Sequence, residues 1–424
     1  MKKKPRAEHV VLVTLDGLRP EYYLDARWPA PATQQLYRDG AHAVAVRSIF
    51  PAETYPSHIT LVTGALPLRH GVHHDRHVEP VANPRWLTDA SMIRVPTLWD
   101  AVRASGGTTA AIGWPVSAGA AIDWNLPDIW PNDEKKVLGA IREAASPDGF
   151  FEELEREATG RLTMENFSNK NLAHDLRVAA MAAYLLERYQ PTLLLAHAQA
   201  TCQVPQEPGW NNPRRARAVA ASDQIVSAIL EVIERTKAWD HTAVIVTGDH
   251  GMTEIHSQIR PNVWLIEAGL RGPQLETGDW RAFFHALAGA AFLRVRNAED
   301  VAAVRRVLDA LPPAKRATFR IVEREELHAL GSDPESPFAL AAVPGFVIDD
   351  RFDGPDLQPN PGMSHSHHPD EPDMNTGFVA AGAGIRAGAC APLLPLTAIA
   401  PLVAELLGLD FDAPDGVLYP GLLT

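Results

Sequence analysis

The sequence predicts an α/β fold: a central, mostly parallel sheet sandwiched between helices, with a small inserted α+β subdomain. Three observations predict it. Short continuous apolar runs recur along the 424 residues, amphipathic stretches separate them, and residues able to carry chemistry cluster where the apolar runs end. Runs that are apolar on both faces look like parallel strands covered by helices. Alternating strands and helices of this kind bury both faces of one sheet.

The first run is His9–Leu15 (HVVLVTL), closed by Asp16 and Gly17, the pattern of a buried strand whose carboxyl end opens onto a site. Glu53-Thr54-Tyr55-Pro56 precedes a helix-like stretch at 57–62. An amphipathic stretch at 97–105 follows Pro96, and 108–112 is the next strand. Residues 131–170 are charged and irregular, which predicts an insertion near the site. A helix at 175–187, a strand at 192–197, a helix at 214–235 and the strand Thr242–Thr247 come next, the last followed by Asp249-His250-Gly251. Residues 291–295, 298–311 and 318–322, with 323–330, read as a small β-α-β unit. The predicted subdomain is therefore 266–344, inserted into a core of 1–265 and 345–424. Pro344-Gly345 and the Pro/Gly/Asp-rich residues 353–362 mark the return to that core.

Lys and Arg number 39 against 52 Asp and Glu, a formal net charge of −13. Binding a nucleic-acid polymer needs clustered cations, and the dense basic run here is Lys2-Lys3-Lys4. The balance argues against a nucleic-acid polymer as partner. No stretch approaches the roughly 18 uninterrupted apolar residues of a membrane span. Glu8 and Asp16 bracket too short an apolar run for a secretory signal. Two cysteines, Cys202 and Cys390, are too few for a disulfide framework, so the expected location is a reducing cytosol. Oligomeric state leaves no trace in the sequence.

Four clusters could carry chemistry: Asp16, Glu53-Thr54-Tyr55-Pro56, Asp249-His250, and His365-Ser366-His367-His368. Aspartate and histidine at strand ends suit zinc. Thr54 lies just before a helix start, where free N–H groups and the helix dipole favour an anion. Its hydroxyl becomes a nucleophile if a metal lowers its pKa. Taken singly, each has a plainer reading: Asp16 as a turn residue, Thr54 as a helix cap, the histidine loop as solvated surface. Their occurrence together in one order carries the functional reading. Trp114, Trp124 and Trp130 could stack on an aromatic leaving group, though core packing is the weightier reading.

Five segments carry a resemblance: VVLVTLDGLRPEY at 10–22, FPAETYPSHITLVTGALPLRHGV at 50–72, TLWDAVRASGGTTAAIGWPV at 97–116, TAVIVTGDHGM at 242–252 and HSHHPDEPDMNTGFVAAGAGI at 365–385. In order, and over nearly the full length, they resemble the alkaline phosphatase superfamily, in particular its nucleotide pyrophosphatase/phosphodiesterase branch. The resemblance implies a metal-dependent phosphoester hydrolase acting on a small-molecule substrate, in which two zinc ions flank the phosphorus, with manganese or magnesium as possible substitutes. It implies that Asp16, Asp249, His250 and Thr54 bind the first metal and that Thr54 attacks to form a phosphothreonine. It also implies that Tyr55 and Asp75 lie against substrate, with Asp75 at a catalytic position, and that His365 serves the second metal.

Three positions depart from the family pattern. The second metal's usual aspartate and histidine are Cys202 and Gln206 here, and the asparagine that donates to a phosphoryl oxygen is Asp75. A thiolate is a competent zinc ligand and a neutral glutamine a poor one, with Glu207, His367 and His368 as possible replacements. A carboxylate about 4 Å from a phosphate oxygen repels it by roughly 4 kcal/mol at an effective dielectric near 20. The alternative reading is thus a degenerate member with one metal, which runs an altered reaction or binds silently. A dinucleotide-binding oxidoreductase is a poor fit because no GxGxxG follows the first strand.

Overall fold

The computed structural model describes residues 4–80, 84–203, 209, 212–272 and 280–424. Its first strands are β1 (His9–Leu15), β2 (Ala41–Arg47), β3 (Thr109–Trp114), β4 (Trp124–Pro127), β5 (Leu193–Ala198) and β6 (Thr242–Thr247). Then come β7 (Thr253–Ile259), β8 (Ala282–Leu287), β9 (Ala290–Val295), β10 (Phe319–Glu323), β11 (Phe338–Ala342), β12 (Gly345–Ile348) and β13 (Leu357–Ser364). β14 (Thr376–Gly382), β15 (Cys390–Ala391) and β16 (Leu394–Pro395) complete the set. The main sheet has the order β15-β2-β14-β6-β1-β5-β3-β4, with β16 also on β2. β1 runs parallel to β5 and β6, and β3 parallel to β5 and β4. β14 runs antiparallel between β6 and β2.

The apolar run of β1 explains why the sheet is central. Val10 and Leu12 enter one hydrophobic core, together with side chains of helices Thr54–Thr63, Leu98–Ser105 and Ile399–Leu406. Val11, Val13 and Leu15 enter another with helices Pro31–Asp39, Ala173–Tyr189 and Pro213–Thr236. Successive strand residues face opposite sides, so one apolar run serves two helix layers. Each such side chain contributes about 1.5–3 kcal/mol by burial.

Residues 131–170 differ from the irregular segment that their charge predicts. Val137–Ala144, Phe150–Leu154 and Met164–Phe167 are helical. Val137, Ile141, Phe150, Phe151, Leu154 and Phe167 are buried in the second core. The apolar face recurs at helical spacing beneath a charged one, and it packs next to β4 at the sheet edge.

The region after β7 is more extensive than one β-α-β unit. Four antiparallel strands in the order β10-β11-β9-β8 form a second sheet. One face packs around Phe284, Leu293, Val304, Leu308 and Phe338, a core that also takes in Ile259, Trp264 and Leu265. The other face, with Phe292, Val322 and Ala339, meets Phe50, which precedes the Thr54 helix. A third sheet, β12-β7-β13, joins the two regions. In it Ser364 pairs with Thr253, which sets His365 beside the chain that has just left His250.

Candidate active site

Strand register builds the site. Thr14 of β1 is level with His197 of β5 and Thr247 of β6, so Asp16 and Asp249 leave the sheet together at the edge where parallel strands bind ligands. Gly17, at φ +67°, turns the chain at once, and a Cβ there would lie 3.0 Å from the Met252 Sδ. The Gly17 N–H donates to Asp249 Oδ1 at 3.0 Å, as does the His250 N–H at 3.0 Å. One oxygen of Asp249 is thereby held and Oδ2 left over. Asp16 is held through its main chain: its N–H donates to the Ala198 carbonyl at 2.9 Å, and the Thr201 hydroxyl donates to its carbonyl.

A carbonyl only accepts, so His250 donates from Nδ1 to the Gly251 carbonyl at 2.9 Å, which leaves the lone pair on Nε2. That nitrogen lies 3.3 Å from Asp16 Oδ1 and 3.6 Å from Asp249 Oδ2. All three atoms are buried without a hydrogen-bond partner, and one donor atom from each of the three residues lies within 4.8 Å of the others. Burial, and then the charge of Asp249, pushes the Asp16 carboxyl well above the ordinary range. Burial pulls His250 down to about 4, so its ring is neutral. Two carboxylate oxygens and one imidazole lone pair, converging and unpartnered, fit a divalent cation such as zinc.

Cys202, His250 and His365 form a second set within 4.8 Å. Cys202 lies buried beside Met252 and Met363. Burial, followed by the charges of Asp16 and Asp249, keeps its thiol protonated well above the usual range. The His365 ring stacks on His250 with centroids 4.1 Å apart, and its Nδ1 is 3.2 Å from the Ala52 carbonyl. Gln206 and Glu207 lie outside the described residues. His367 and His368 turn away from these donors: His367 Nε2 is 2.8 Å from the Phe346 carbonyl, and His368 stands beside Glu326 and Asp370.

Thr54 opens the helix Thr54–Thr63. Its hydroxyl makes no hydrogen bond among the described residues. His58, one turn later, donates from Nδ1 to the Thr54 carbonyl at 2.7 Å, and the same nitrogen is 3.9 Å from Asp249 Oδ2. His58 Nε2 meets the Thr14 hydroxyl at 2.8 Å, and that hydroxyl meets His197 Nδ1 at 2.9 Å. Because His58 donates from Nδ1 to the Thr54 carbonyl, its Nε2 accepts, from the Thr14 hydroxyl or from His197 Nδ1 at 3.1 Å, and the Thr14 hydroxyl also lies 3.4 Å from the Ala196 carbonyl. Burial lowers His58 to about 4 and His197 well below its ordinary value, so both rings are uncharged. Sequence reasoning missed both histidines, although the four-residue spacing of Thr54 and His58 was a usable signal for one of them.

Asp75 Oδ1 accepts the Tyr55 N–H at 2.8 Å, and the Asp75 N–H donates to Glu53 Oε2 at 3.2 Å. Asp75 thus sits on a helix N-terminal donor of the kind anions use. Burial pushes its carboxyl up to about 7 against the pull of the Tyr55 N–H, and Asp249 adds to the rise. Burial and then Asp75 raise Glu53 well above its usual range. The Tyr55 side chain does not face substrate space: it is buried, and its hydroxyl donates to Asp128 Oδ2 at 2.9 Å. Trp130 Nε1 donates to the same carboxylate at 2.6 Å. Trp114 packs on His58 and Trp124 stacks on Tyr189, so these three tryptophans are packing and bracing residues. A cleft of about 810 Å³ opens beside Glu53, Asp75 and His365 and extends to Arg271, Phe283 and Phe352. No residue of 131–170 lines it.

The family described as type I phosphodiesterase / nucleotide pyrophosphatase matches residues 10–369. Human ectonucleotide pyrophosphatase/phosphodiesterase family member 5 is 23% identical over 251 residues, 59% of this chain and 46% of that protein. A Schizosaccharomyces pombe pyrophosphatase/phosphodiesterase is 26% identical over 247 residues, 57% of this chain and 44% of its own. The aligned stretch therefore spans less than half the length of either. Human family member 7 is 24% identical over 416 residues, 96% of this chain and 82% of that protein. The solved structure of human family member 5 superposes with a TM-score of 0.68 at 20% identity, covering 95% of this chain and 96% of the other. The murine protein, as an inactive threonine-to-alanine variant in complex with AMP, gives 0.70 at 20% identity, covering 98% of this chain and 100% of the other. These structures share the fold.

Proposed function

The chain belongs to the type I phosphodiesterase / nucleotide pyrophosphatase family, a branch of the alkaline phosphatase superfamily, and on that premise we propose that it is a zinc-dependent hydrolase of small phosphodiesters with Thr54 as nucleophile. One observation carries the reading: Asp16 Oδ1, Asp249 Oδ2 and His250 Nε2 converge, buried and unpartnered, at the carboxyl edge of the sheet. These residues would hold the cation. When bound, it supplies positive charge that lowers the pKa of a nearby hydroxyl and offsets charge on phosphoryl oxygens.

The rest of the chemistry falls to the chain's own groups. Thr54 presents a hydroxyl free of hydrogen bonds, and His58 fixes its carbonyl at 2.7 Å. The Thr54 oxygen forms a bond to phosphorus as the bond to the leaving oxygen breaks and the hydroxyl proton passes to that oxygen, which releases one alcohol and leaves Thr54 esterified to a phosphoryl group that still carries the other. Water then displaces Thr54 from phosphorus, and a proton of that water restores the hydroxyl. Burial raises both carboxyls, Asp75 to about 7 and Glu53 well above its usual range, so the pair meets substrate with less negative charge than two free carboxylates would carry. The murine relative's complex with AMP supports a nucleotide-like substrate.

Turnover of bis(para-nitrophenyl) phosphate by zinc-loaded protein tests the reading. Wild type is expected to release nitrophenol and to stop on chelation, and Thr54→Ala to lose activity by at least about a thousandfold, the scale of removing a nucleophile. A second reading, a member that binds without turnover, is favoured by Asp75 on the Tyr55 N–H, where an anion would otherwise bind. Absence of turnover with every divalent ion tried would select it.

A further inference from the structure

Several arginines around the subdomain are matched to acids. Arg260 bonds Asp349 at 2.8 Å, Arg320 bonds Glu326 at 2.8 Å, and Arg281 and Arg294 bond Asp300 and Asp333. Arg271 is different. It is 6% exposed, its Nε and Nη1 are buried with no hydrogen-bond partner, and no carboxylate among the described residues pairs with it. Its guanidinium lies 5.5 Å from the Phe283 ring centroid and 5.7 Å from that of Phe352. All three residues line the cleft that also reaches Glu53, Asp75 and His365.

A buried guanidinium with idle donors is unfavourable unless something answers its charge. Burial lowers it only to about 10, so it stays a cation at neutral pH. The acid whose field it feels is Asp350, which does not bond it, and burial and then Asp349 raise that carboxyl itself. Asp349 is committed to Gln258, Arg260 and Arg351. The planar guanidinium fork matches the oxygens of carboxylate or phosphate, and the neighbouring rings exclude water and strengthen the contact.

We propose that Arg271 is a specificity-determining residue: with Phe283 and Phe352 it binds an oxyanion, carboxylate or phosphate, on the part of the substrate away from the bond broken at Thr54. Glu53 and Asp75 line the cleft with Arg76, and Arg271 lines it with Asp350 nearby; of these cations Arg271 is the one held against aromatic rings with idle buried donors. This rests on the hydrolase reading only for the identity of the bond that is broken.

The test compares para-nitrophenyl phosphodiesters whose second alcohol is a plain alkyl chain, an ω-carboxyalkyl chain or an ω-phosphoalkyl chain, each in two lengths. Zinc-loaded wild type is expected to show a lower KM for at least one acid-bearing ester than for its plain counterpart. Arg271→Gln raises that KM about tenfold or more with kcat and the plain ester unchanged, and Arg271→Lys recovers part of it. Preference for the carboxylate or the phosphate arm identifies the oxyanion. An equal change on all esters, no change on any, or a large fall in the thermal midpoint of Arg271→Gln would show a structural residue and overturn the proposal. If wild type turns over none of the esters, calorimetry with ω-carboxyalkyl and ω-phosphoalkyl phosphonates decides. Arg271-dependent binding keeps this inference while the hydrolase reading falls, and binding indifferent to Arg271 ends it.

Discussion

Asp75 puts an acid on the amide at the start of the nucleophile helix, and the consequence of that one residue can be measured. Its Oδ1 takes the Tyr55 N–H at 2.8 Å, so a phosphoryl oxygen approaching that donor meets a carboxyl group. Replacing it with an amide removes the charge and keeps an oxygen for the N–H. Asp75→Asn is expected to raise kcat/KM on bis(para-nitrophenyl) phosphate about tenfold, equivalent to ~1.4 kcal/mol. Unchanged or reduced kcat/KM would mean that the carboxyl assists turnover. That position 75 carries an acid is plain in the sequence; that the acid is tied to the Tyr55 amide is not, because the contact crosses 20 residues of chain. Arg271 was illegible for the same reason. Its environment, Phe283, Asp350 and Phe352, is assembled from separate strands and loops.

At the level of elements, the apolar runs made the parallel strands readable and the carboxyl ends with them. That Asp16 and Asp249 share a site was readable from their places after two apolar runs and from the family resemblance; which oxygens face each other was not, since that depends on the pairing of β1 with β6. The helices of 131–170 were hidden because their polar face dominates composition. The subdomain is clamped to the core by a buried set: His74 of the core meets Asp333 at 2.6 Å, and Arg294 of β9 bonds the same carboxylate. Burial alone would raise Asp333, but His74 and Arg294 hold it far below the usual range. A depressed carboxyl stabilises the fold in full above its unfolded pKa of about 3.9, and that contribution is withdrawn as pH falls toward the folded value. Asp333→Asn is expected to cost about 3–5 kcal/mol in denaturant unfolding at neutral pH by stranding Arg294. A loss under about 1 kcal/mol would show that the clamp is not holding the two elements together.

For the whole molecule, the acidic balance of −13 becomes a matter of cation count. Asp16, Asp249 and Glu53 are buried and Asp75 half-buried in one neighbourhood, where a divalent cation answers repulsion that protonation otherwise must. Elemental analysis of purified protein is expected to find one zinc per chain, retained in His365→Ala and lost in Asp16→Ala. Two zinc ions, one of them lost in His365→Ala, would instead assign a working second site to Cys202 and His365. Zinc at a hundredfold over its dissociation constant is expected to add about 2.7 kcal/mol to stability, visible as a higher thermal midpoint that chelator reverses. The most direct measurement is acid-quench mass spectrometry of zinc-loaded protein mixed with bis(para-nitrophenyl) phosphate. The account predicts a phosphoryl adduct on the peptide that contains Thr54, absent after chelation and absent in Thr54→Ala; turnover with no adduct at Thr54, or with full rate in Thr54→Ala, would contradict it.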